Sequence, residues 1–122
     1  MSRILIVEDD ANQRELYRQE LCDEGYEVVT RTNGEEALEY LQHERPDLVI
    51  LDICMPGIDG LDLLSRVLEK DRLLPVILNT AYSQFRENYL TWRANAYVVK
   101  SGDLSELKTR VAELMSMFAP HK

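Results

Sequence analysis

Side chains that can bind metal ions or phosphate stand at the ends of four short apolar runs in this 122-residue chain. Glu8 and Asp9 follow the first run, Asp52 follows another, Thr80 ends a third and Lys100 follows the last. Taken singly, each residue has an ordinary structural explanation, because acids cap turns and helices, threonine is common in strands and lysine is usually solvated. Their joint placement at four run ends predicts a shared site instead.

The chemistry of such a site follows from its charges. Three carboxylates in one place, those of Glu8, Asp9 and Asp52, would repel one another unless a cation balanced them. An all-oxygen set of ligands suits a hard divalent ion, and an incomplete protein shell with room for water favours magnesium, with manganese as a substitute, over calcium. A lysine ammonium and a threonine hydroxyl beside that ion would stabilise charge on a transferring phosphoryl group. Asp52 is then the expected nucleophile, which becomes an acyl phosphate.

The apolar runs that carry these residues are typical of strands covered on both faces of a parallel sheet. Five strands are predicted, at residues 3–7, 27–31, 48–52, 76–80 and 96–100. Helical patterns separate them, at residues 11–24, from the turn and helix start at Thr32–Glu36 to before Pro46, at 61–68, from Ser83 onward and from Asp103 to Phe118. This alternation predicts a doubly wound α/β fold of five βα units, with helices on both faces of a parallel sheet. The carboxyl ends of the strands then share one edge, where ligands bind.

Local patterns refine the first and last helices. On the first helix, Leu16, Tyr17 and Leu21 are expected to form the buried side. On the last helix, Asp103 and Glu106 have the spacing of a capping box. The first pattern predicts which side of a helix faces the core, and the second predicts where a helix begins.

Composition places the chain among ordinary globular proteins, with 45% hydrophobic and 30% charged residues. We expect one domain across residues 1–122, with no output domain after Phe118. The formal net charge of −8 disfavours direct binding to nucleic acid or anionic lipid. The N-terminus has neither a signal peptide nor a membrane span, so a cytoplasmic protein is expected. Cys22 and Cys54 lack the spacing of a zinc site and are expected to be reduced thiols.

Four segments together resemble the receiver domain of bacterial two-component response regulators, the family of the single-domain chemotaxis receiver. They are Val7–Asp10, Leu51–Gly60, Asn79–Ala81 and Tyr97–Lys100, and the resemblance covers essentially the whole chain. It implies the flavodoxin-like strand order 2-1-3-4-5. It also implies a signalling switch in which Asp52 accepts a phosphoryl group from the phosphohistidine of a histidine kinase or phosphotransfer protein. The only reactions implied for the chain itself are self-phosphorylation and autodephosphorylation at Asp52.

The resemblance also implies a role for each matching position. Asp9, Asp52 and the backbone carbonyl of Cys54 would hold magnesium, and Glu8 would act through water. The residues that would bind the phosphoryl group or move in the switch are Thr80, Ala81, Tyr97 and Lys100.

Three positions depart from the usual family pattern. Glu8 stands where aspartate is more common, so its extra methylene is expected to shift the water shell of the metal. Ser101 follows Lys100 where the family usually has proline, often after a cis bond. Because a cis bond to serine costs about 3–4 kcal/mol, a trans bond is expected. Tyr82 is bulky and is expected to screen the phosphoryl group from water, which would lengthen the lifetime of the phosphorylated form.

Three aromatic residues, Phe85, Tyr89 and Trp92, recur at helical spacing on the helix predicted from Ser83. Such stripes usually pack on the core, but a second apolar side on this helix leaves an exposed interface open. In the family, this helix forms the common output face with the last strand and the last helix, and Tyr97 would belong to it. The face would contact a downstream protein effector or form a phosphorylation-dependent dimer.

Two alternatives stay open. A pseudo-receiver would keep the fold and bind proteins without phosphorylation, although it would be expected to lack site residues that are present here. A phosphatase or mutase with an aspartyl nucleophile commonly has a second acid two residues later, where this chain has Cys54.

Overall fold

The computed structural model describes residues 2–53, 60–81 and 93–118, except for the side chain of Phe118. The strands are β1 (Arg3–Val7), β2 (Glu27–Arg31), β3 (Leu48–Leu51), β4 (Val76–Thr80) and β5 (Ala96–Val99). The helices in the described residues are α1 (Ala11–Asp23), α2 (Gly34–His43), α3 (Gly60–Lys70) and α4 (Ser105–Phe118). None of these helices is both long and apolar enough to cross a membrane. The helix predicted from Ser83 lies outside the described residues.

The five strands form one parallel sheet in the order β2-β1-β3-β4-β5, which confirms the predicted order. The register pairs Val7 with Leu51 and Leu51 with Leu78, so β1, β3 and β4 run level with one another. On the other side of β4, Thr80 pairs with Val99 of β5. The residues that follow these strands therefore start from one edge of the sheet.

Side chains alternate along the strands, which gives the sheet two apolar faces. The strand residues that pack with α2 and α3 are Leu5, Val7, Val49, Leu51, Val76 and Leu78. The strand residues that pack with α1 and α4 are Ile4, Ile6, Leu48, Ile50, Ile77 and Val98. Helices cover both faces, as the doubly wound fold requires.

One side of α1 faces the sheet. Tyr17 and Leu21 are buried on that side, whereas Leu16 is 46% exposed. The prediction that Leu16 belongs to the buried side is therefore wrong. Consecutive helical residues point about 100° apart, and the rotation of α1 turns Tyr17 toward the sheet and Leu16 toward solvent. Gln13 lies one turn before Tyr17 and continues the buried side toward the start of the helix.

Among the described residues, Asp103 bonds to Ser105 and Ser101 before α4, and not to Glu106 as the predicted capping box requires. Its Oδ1 atom accepts the N–H of Ser105 at 2.9 Å and the hydroxyl of Ser105 at 2.6 Å. The N–H of Asp103 donates to Ser101 Oγ at 3.1 Å. Ser101 thus provides the contact that a capping box would take from Glu106, because the loop folds back on itself before the helix begins.

Candidate functional site

The loops after β1 and β3 bring three carboxylates together. Glu8 and Asp9 follow β1, Asp52 follows the adjacent strand β3, and one carboxylate oxygen from each lies within 4.8 Å of the others. Backbone hydrogen bonds extend past the strand ends, from Glu8 N–H to Arg31 O at 3.1 Å and from Asp52 N–H to Val7 O at 3.4 Å. The rigid sheet therefore sets the positions of these acids.

The three acids differ in exposure. Glu8 is 2% exposed and Asp52 is 7% exposed, whereas Asp9 is exposed to solvent. A buried carboxylate is costly unless it is paired or hydrogen-bonded. The cluster thus has a buried part that needs a counter-charge and an open side through Asp9.

Lys100 supplies part of that counter-charge from the end of β5. Its Nζ atom lies 2.8 Å from Asp52 Oδ2 and 2.7 Å from Glu8 Oε1. It also donates to Gln13 Oε1 at 2.6 Å. The ammonium thus has three oxygen partners, of which Asp52 and Gln13 accept hydrogen bonds and Glu8 forms an ion pair.

The pKa values of the two buried partners reflect competition between burial and pairing. Burial raises the pKa of Glu8 above its ordinary value, and the hydrogen bond from Lys100 opposes that shift only in part. Burial acts to lower the pKa of Lys100, but hydrogen bonds to Asp52 and Glu8 outweigh it and hold that pKa above the usual range. Lys100 is therefore charged, and it faces two carboxylates.

The first turn of α1 holds the acidic loop in place. Asp10 caps the helix by accepting the N–H of Gln13 at 3.0 Å, and its own N–H donates to Glu8 Oε2 at 3.2 Å. Arg14 Nη1 donates to the carbonyl oxygens of Glu8 at 2.9 Å and Asp9 at 3.4 Å. The orientation of the Glu8 carboxylate thus depends on α1 as well as on β1.

The end of β4 lies between the acids and the lysine. Thr80 is fully buried and Asn79 is 4% exposed. The carbonyl oxygen of Thr80 accepts the N–H of Lys100 at 2.6 Å, which fixes the backbone from which the lysine side chain extends. Ala81 is exposed, and Tyr97 is half-buried against the apolar face covered by α2 and α3.

The start of α3 packs directly on the backbone that follows β3. Gly60 N–H donates to Ile53 O at 2.8 Å. A Cβ atom on Gly60 would lie 2.4 Å from Asp52 O and 2.4 Å from Ile53 Cα, which is too close for any side chain. Glycine at this position lets α3 pack closely against the main chain of Asp52 and Ile53.

Some predicted features can be compared with the structure and others cannot. The bond between Lys100 and Ser101 is trans, as predicted, and Cys22 is a free, exposed thiol. The predicted site and interface residues that lie outside the described residues are Cys54, Tyr82, Phe85, Tyr89 and Trp92.

Two residues of the site, Gln13 and Arg14, were not predicted. Gln13 contacts Lys100, and Arg14 contacts the backbone of the acidic loop. A signal for Gln13 was present, because it lies four residues before Tyr17 and eight before Leu21 on the same helical face. A polar residue that continues a buried stripe toward the strand ends is a candidate site residue.

The chemistry of the cluster, rather than the size of a cavity, marks it as the candidate site. A cleft of about 690 Å³ lies elsewhere, between β2 and α2, and mixes cationic and anionic side chains. Three carboxylate oxygens at the spacing seen here suit a hard divalent cation. A divalent cation in this place would give the edge of the sheet two cationic groups facing Asp52, the ion and the ammonium of Lys100.

Comparisons with known proteins agree on one family. The sequence model for the response regulator receiver domain matches residues 4–112. An uncharacterized 14.6 kDa protein of Leptolyngbya boryana is 39% identical over 96% of this chain and 92% of its own length. The probable transcriptional regulator ycf27 of Cyanophora paradoxa is 38% identical over 93% of this chain. The chain spans about half the length of that regulator, 48%.

Two similar solved structures contain the same protein. The response regulator TrrA of Thermotoga maritima, solved in complex with Mg²⁺-BeF, is 49% identical with a TM-score of 0.91, covering 93% of this chain and 99% of that one. TrrA in complex with the histidine kinase ThkA is 49% identical with a TM-score of 0.89, covering 94% of this chain and 99% of that one. The likeness therefore extends over the fold and the sequence together.

Proposed function

The chain belongs to the response regulator receiver domain family, and on that premise we propose that it is a signalling switch activated by phosphorylation of Asp52. The observation that carries the proposal is the meeting of Glu8, Asp9, Asp52 and Lys100 at one edge of the sheet. The phosphodonor is the phosphohistidine of a histidine kinase or phosphotransfer protein. The complex of TrrA with the kinase ThkA supports this class of partner.

In the proposed reaction, a carboxylate oxygen of Asp52 attacks the phosphorus atom of the phosphohistidine. The new P–O bond forms as the P–N bond breaks, and the imidazole leaves with the electron pair of the broken bond. The attacking residue is well suited to this step, because the end of β3 and the close packing of Gly60 hold its backbone in place. Later hydrolysis of the acyl phosphate returns Asp52 to its resting state.

The proposed cofactor is Mg²⁺, for which Mn²⁺ can substitute. Asp9, Asp52 and the carbonyl of Cys54 would hold it, and Glu8 would act through water. The donor set fits, since three carboxylates lie within 4.8 Å and one of them is exposed. The Mg²⁺-BeF complex of TrrA supports the same choice of ion. When bound, the ion neutralises charge on the phosphoryl oxygens.

Lys100 and Thr80 are the proposed contacts to the phosphoryl oxygens. The ammonium of Lys100 already lies 2.8 Å from an oxygen of Asp52, so it needs only a small movement to reach a phosphoryl group there. The carbonyl oxygen of Thr80 accepts the N–H of Lys100, so Thr80 also holds the backbone of the lysine in place. Ala81 and Tyr97 are the proposed switch positions that follow the change at Asp52.

The proposed output surface comprises Phe85, Tyr89, Trp92 and Tyr97, which would contact a downstream protein effector or form a phosphorylation-dependent dimer. Trp92 is the single tryptophan, so its fluorescence reports on this surface. We expect the emission to change on phosphorylation or on addition of the partner, and a constant emission in both cases would count against the surface. We further propose that residues 1–122 act as one receiver domain in the cytoplasm.

The test of the proposal is uptake of phosphate followed by intact-mass analysis. With magnesium and either acetyl phosphate or phosphoramidate, whose P–N bond resembles that of phosphohistidine, we expect the protein to gain one phosphoryl group. Asp52→Asn should abolish the gain, and so should chelation of the metal. Asp23→Asn, a change at an exposed acid at the end of α1, should leave it intact. No gain in the wild type, or a gain that survives Asp52→Asn, would overturn the proposal.

A further inference from the structure

We propose that Gln13 is a positioning residue that holds the Lys100 ammonium at the phosphoryl site. Gln13 Oε1 accepts a hydrogen bond from Lys100 Nζ at 2.6 Å, although the residues are 87 positions apart. The consequence for phosphotransfer rests on the proposed function. The contact itself can be tested in the absence of phosphate and metal.

Gln13 differs in kind from the other two partners of Lys100. Asp52 and Glu8 are carboxylates of the cluster that would hold a divalent cation, so both must divide their oxygens between that cation and the ammonium. Asp52 also changes its chemistry when it becomes an acyl phosphate. The neutral amide oxygen of Gln13 is altered by neither event, so it is the partner that stays constant through the cycle.

The backbone around Lys100 does little to fix the position of its ammonium, which depends on the side-chain contacts with Asp52, Glu8 and Gln13. Lys100 follows β5, an edge strand in which Val98 is the buried residue, and the next three residues are exposed. The bond from Lys100 N–H to Thr80 O holds the backbone. Beyond the backbone, a lysine has a flexible four-carbon stem, so the position of its charge depends on what binds the ammonium.

The first turn of α1 is well placed to hold the ammonium. The N–H of Gln13 is bound to Asp10 Oδ1, and Asp10 N–H is bound to Glu8 Oε2. The same turn therefore fixes both the buried carboxylate of Glu8 and the amide that faces Lys100. Through Gln13, α1 sets the distance between the acidic side of the site and its cation.

Gln13→Met tests the role, because it keeps the length of the side chain and removes the acceptor. Since a hydrogen bond to a charged group is lost, we expect phosphorylation of Asp52 by acetyl phosphate to slow about five- to tenfold. Gln13→Glu keeps an acceptor with the same reach and serves as the conservative variant. Gln19→Met is the matched control, because Gln19 is exposed on α1 and bonds only to Glu15 among the described residues.

Hydrogen exchange of the ¹⁵N-labelled Lys100 ammonium, followed by NMR in metal-free protein, reports whether the ammonium is held in place. We expect slow hydrogen exchange in the wild type, in Gln19→Met and in Gln13→Glu, and fast exchange with loss of the signal in Gln13→Met. Thermal unfolding of each variant verifies that it is folded. In a Lys100→Met background, adding Gln13→Met should slow phosphorylation no further, because Gln13 acts through Lys100.

The outcomes separate this inference from the proposed function. A Lys100 signal that is unchanged in Gln13→Met would show that Gln13 does not hold the ammonium. Loss of the signal with an unchanged phosphorylation rate would remove Gln13 from phosphotransfer. If the wild type takes up no phosphate at all, the proposed function fails, while the NMR comparison still decides whether Gln13 positions Lys100.

Discussion

The carboxylates and the ammonium of the candidate site are held by different kinds of structure. Glu8 and Asp52 follow β1 and β3, which are interior strands with four buried residues each. Lys100 follows β5, an edge strand with one buried residue of four. The acids are therefore positioned by buried backbone, whereas the lysine is positioned by what its side chain contacts.

This difference suits the tasks of the two sides. A carboxylate on a short stem stays where its backbone is fixed, so mutually repelling acids can be kept together by the core. An ammonium on a long stem can move from carboxylate to phosphoryl oxygen with little change in the backbone. The two sides should therefore respond differently to substitution, both in stability and in phosphorylation.

The largest effect is expected for Lys100→Met, which leaves Glu8 and Asp52 without their common cation. Because removing one partner of a buried ion pair leaves uncompensated charge, we expect metal-free protein to lose about 3 kcal/mol of unfolding free energy in urea. Saturating Mg²⁺ should restore more stability to this variant than it adds to the wild type, because the ion replaces the missing charge. Lys70→Met, at an exposed lysine of α3, should change stability by less than about 0.5 kcal/mol. Equal stability of the two variants would show that Lys100 does not balance the acids.

Gly60→Ala tests the packing behind the acidic side. The added Cβ would lie 2.4 Å from the main chain at Asp52 and Ile53, so α3 must move away. We expect the unfolding free energy, measured in urea, to fall by about 2–3 kcal/mol. Phosphorylation, followed by intact mass, should also be slower. Gly102→Ala is the control near Lys100, since a Cβ atom added at Gly102 would have no neighbour within 4 Å among the described residues. A Gly60→Ala protein as stable and as active as Gly102→Ala would rule out the close packing.

Two valines compare the interior and edge strands with the same chemical change. Val49 in β3 is 1% exposed, and Val99 in β5 is half-buried. Val49→Ala should cost about 2 kcal/mol, because it removes buried carbon and leaves a cavity, whereas Val99→Ala should cost less than about 1 kcal/mol. Urea unfolding of both variants gives the ratio of the two losses in unfolding free energy. Equal losses would mean that β5 is held as firmly as β3.

The smallest effect is expected at the boundary between the two sides, where Tyr17 of α1 lies close to the Asn79 side chain of β4. Both residues are buried, and burial raises the pKa of Tyr17. Tyr17→Phe should cost about 1 kcal/mol of unfolding free energy, since it removes a buried polar group beside the buried amide of Asn79. Tyr26→Phe, at a half-buried tyrosine, should stay within about 0.5 kcal/mol of the wild type in the same urea titration. A loss no larger than that of Tyr26→Phe would show that the Asn79 contact adds nothing to stability.

Much of this architecture was predictable, because its signals are local. The five strands and the described helices match the expectations from apolar runs and helical periodicity, and the strand order matches the one that the family resemblance implied. The acids were also placed at the right edge, since parallel strands share the direction of their carboxyl ends. The buried side of α1 was less accessible to prediction: Leu16 is apolar but exposed, because packing on the sheet, not hydrophobicity alone, sets the rotation of a helix.

The sequence by itself determined which residues end the strands, and thereby which charges meet at the edge of the sheet. Only the tertiary structure decided that the Lys100 ammonium contacts Gln13 as well as the carboxylates of Asp52 and Glu8. The physical reason is that a strand end follows from neighbouring residues, whereas the contact with Gln13 depends on the rotation and position of α1 against the sheet. That placement arises from the packing of Tyr17 and Leu21 in the core.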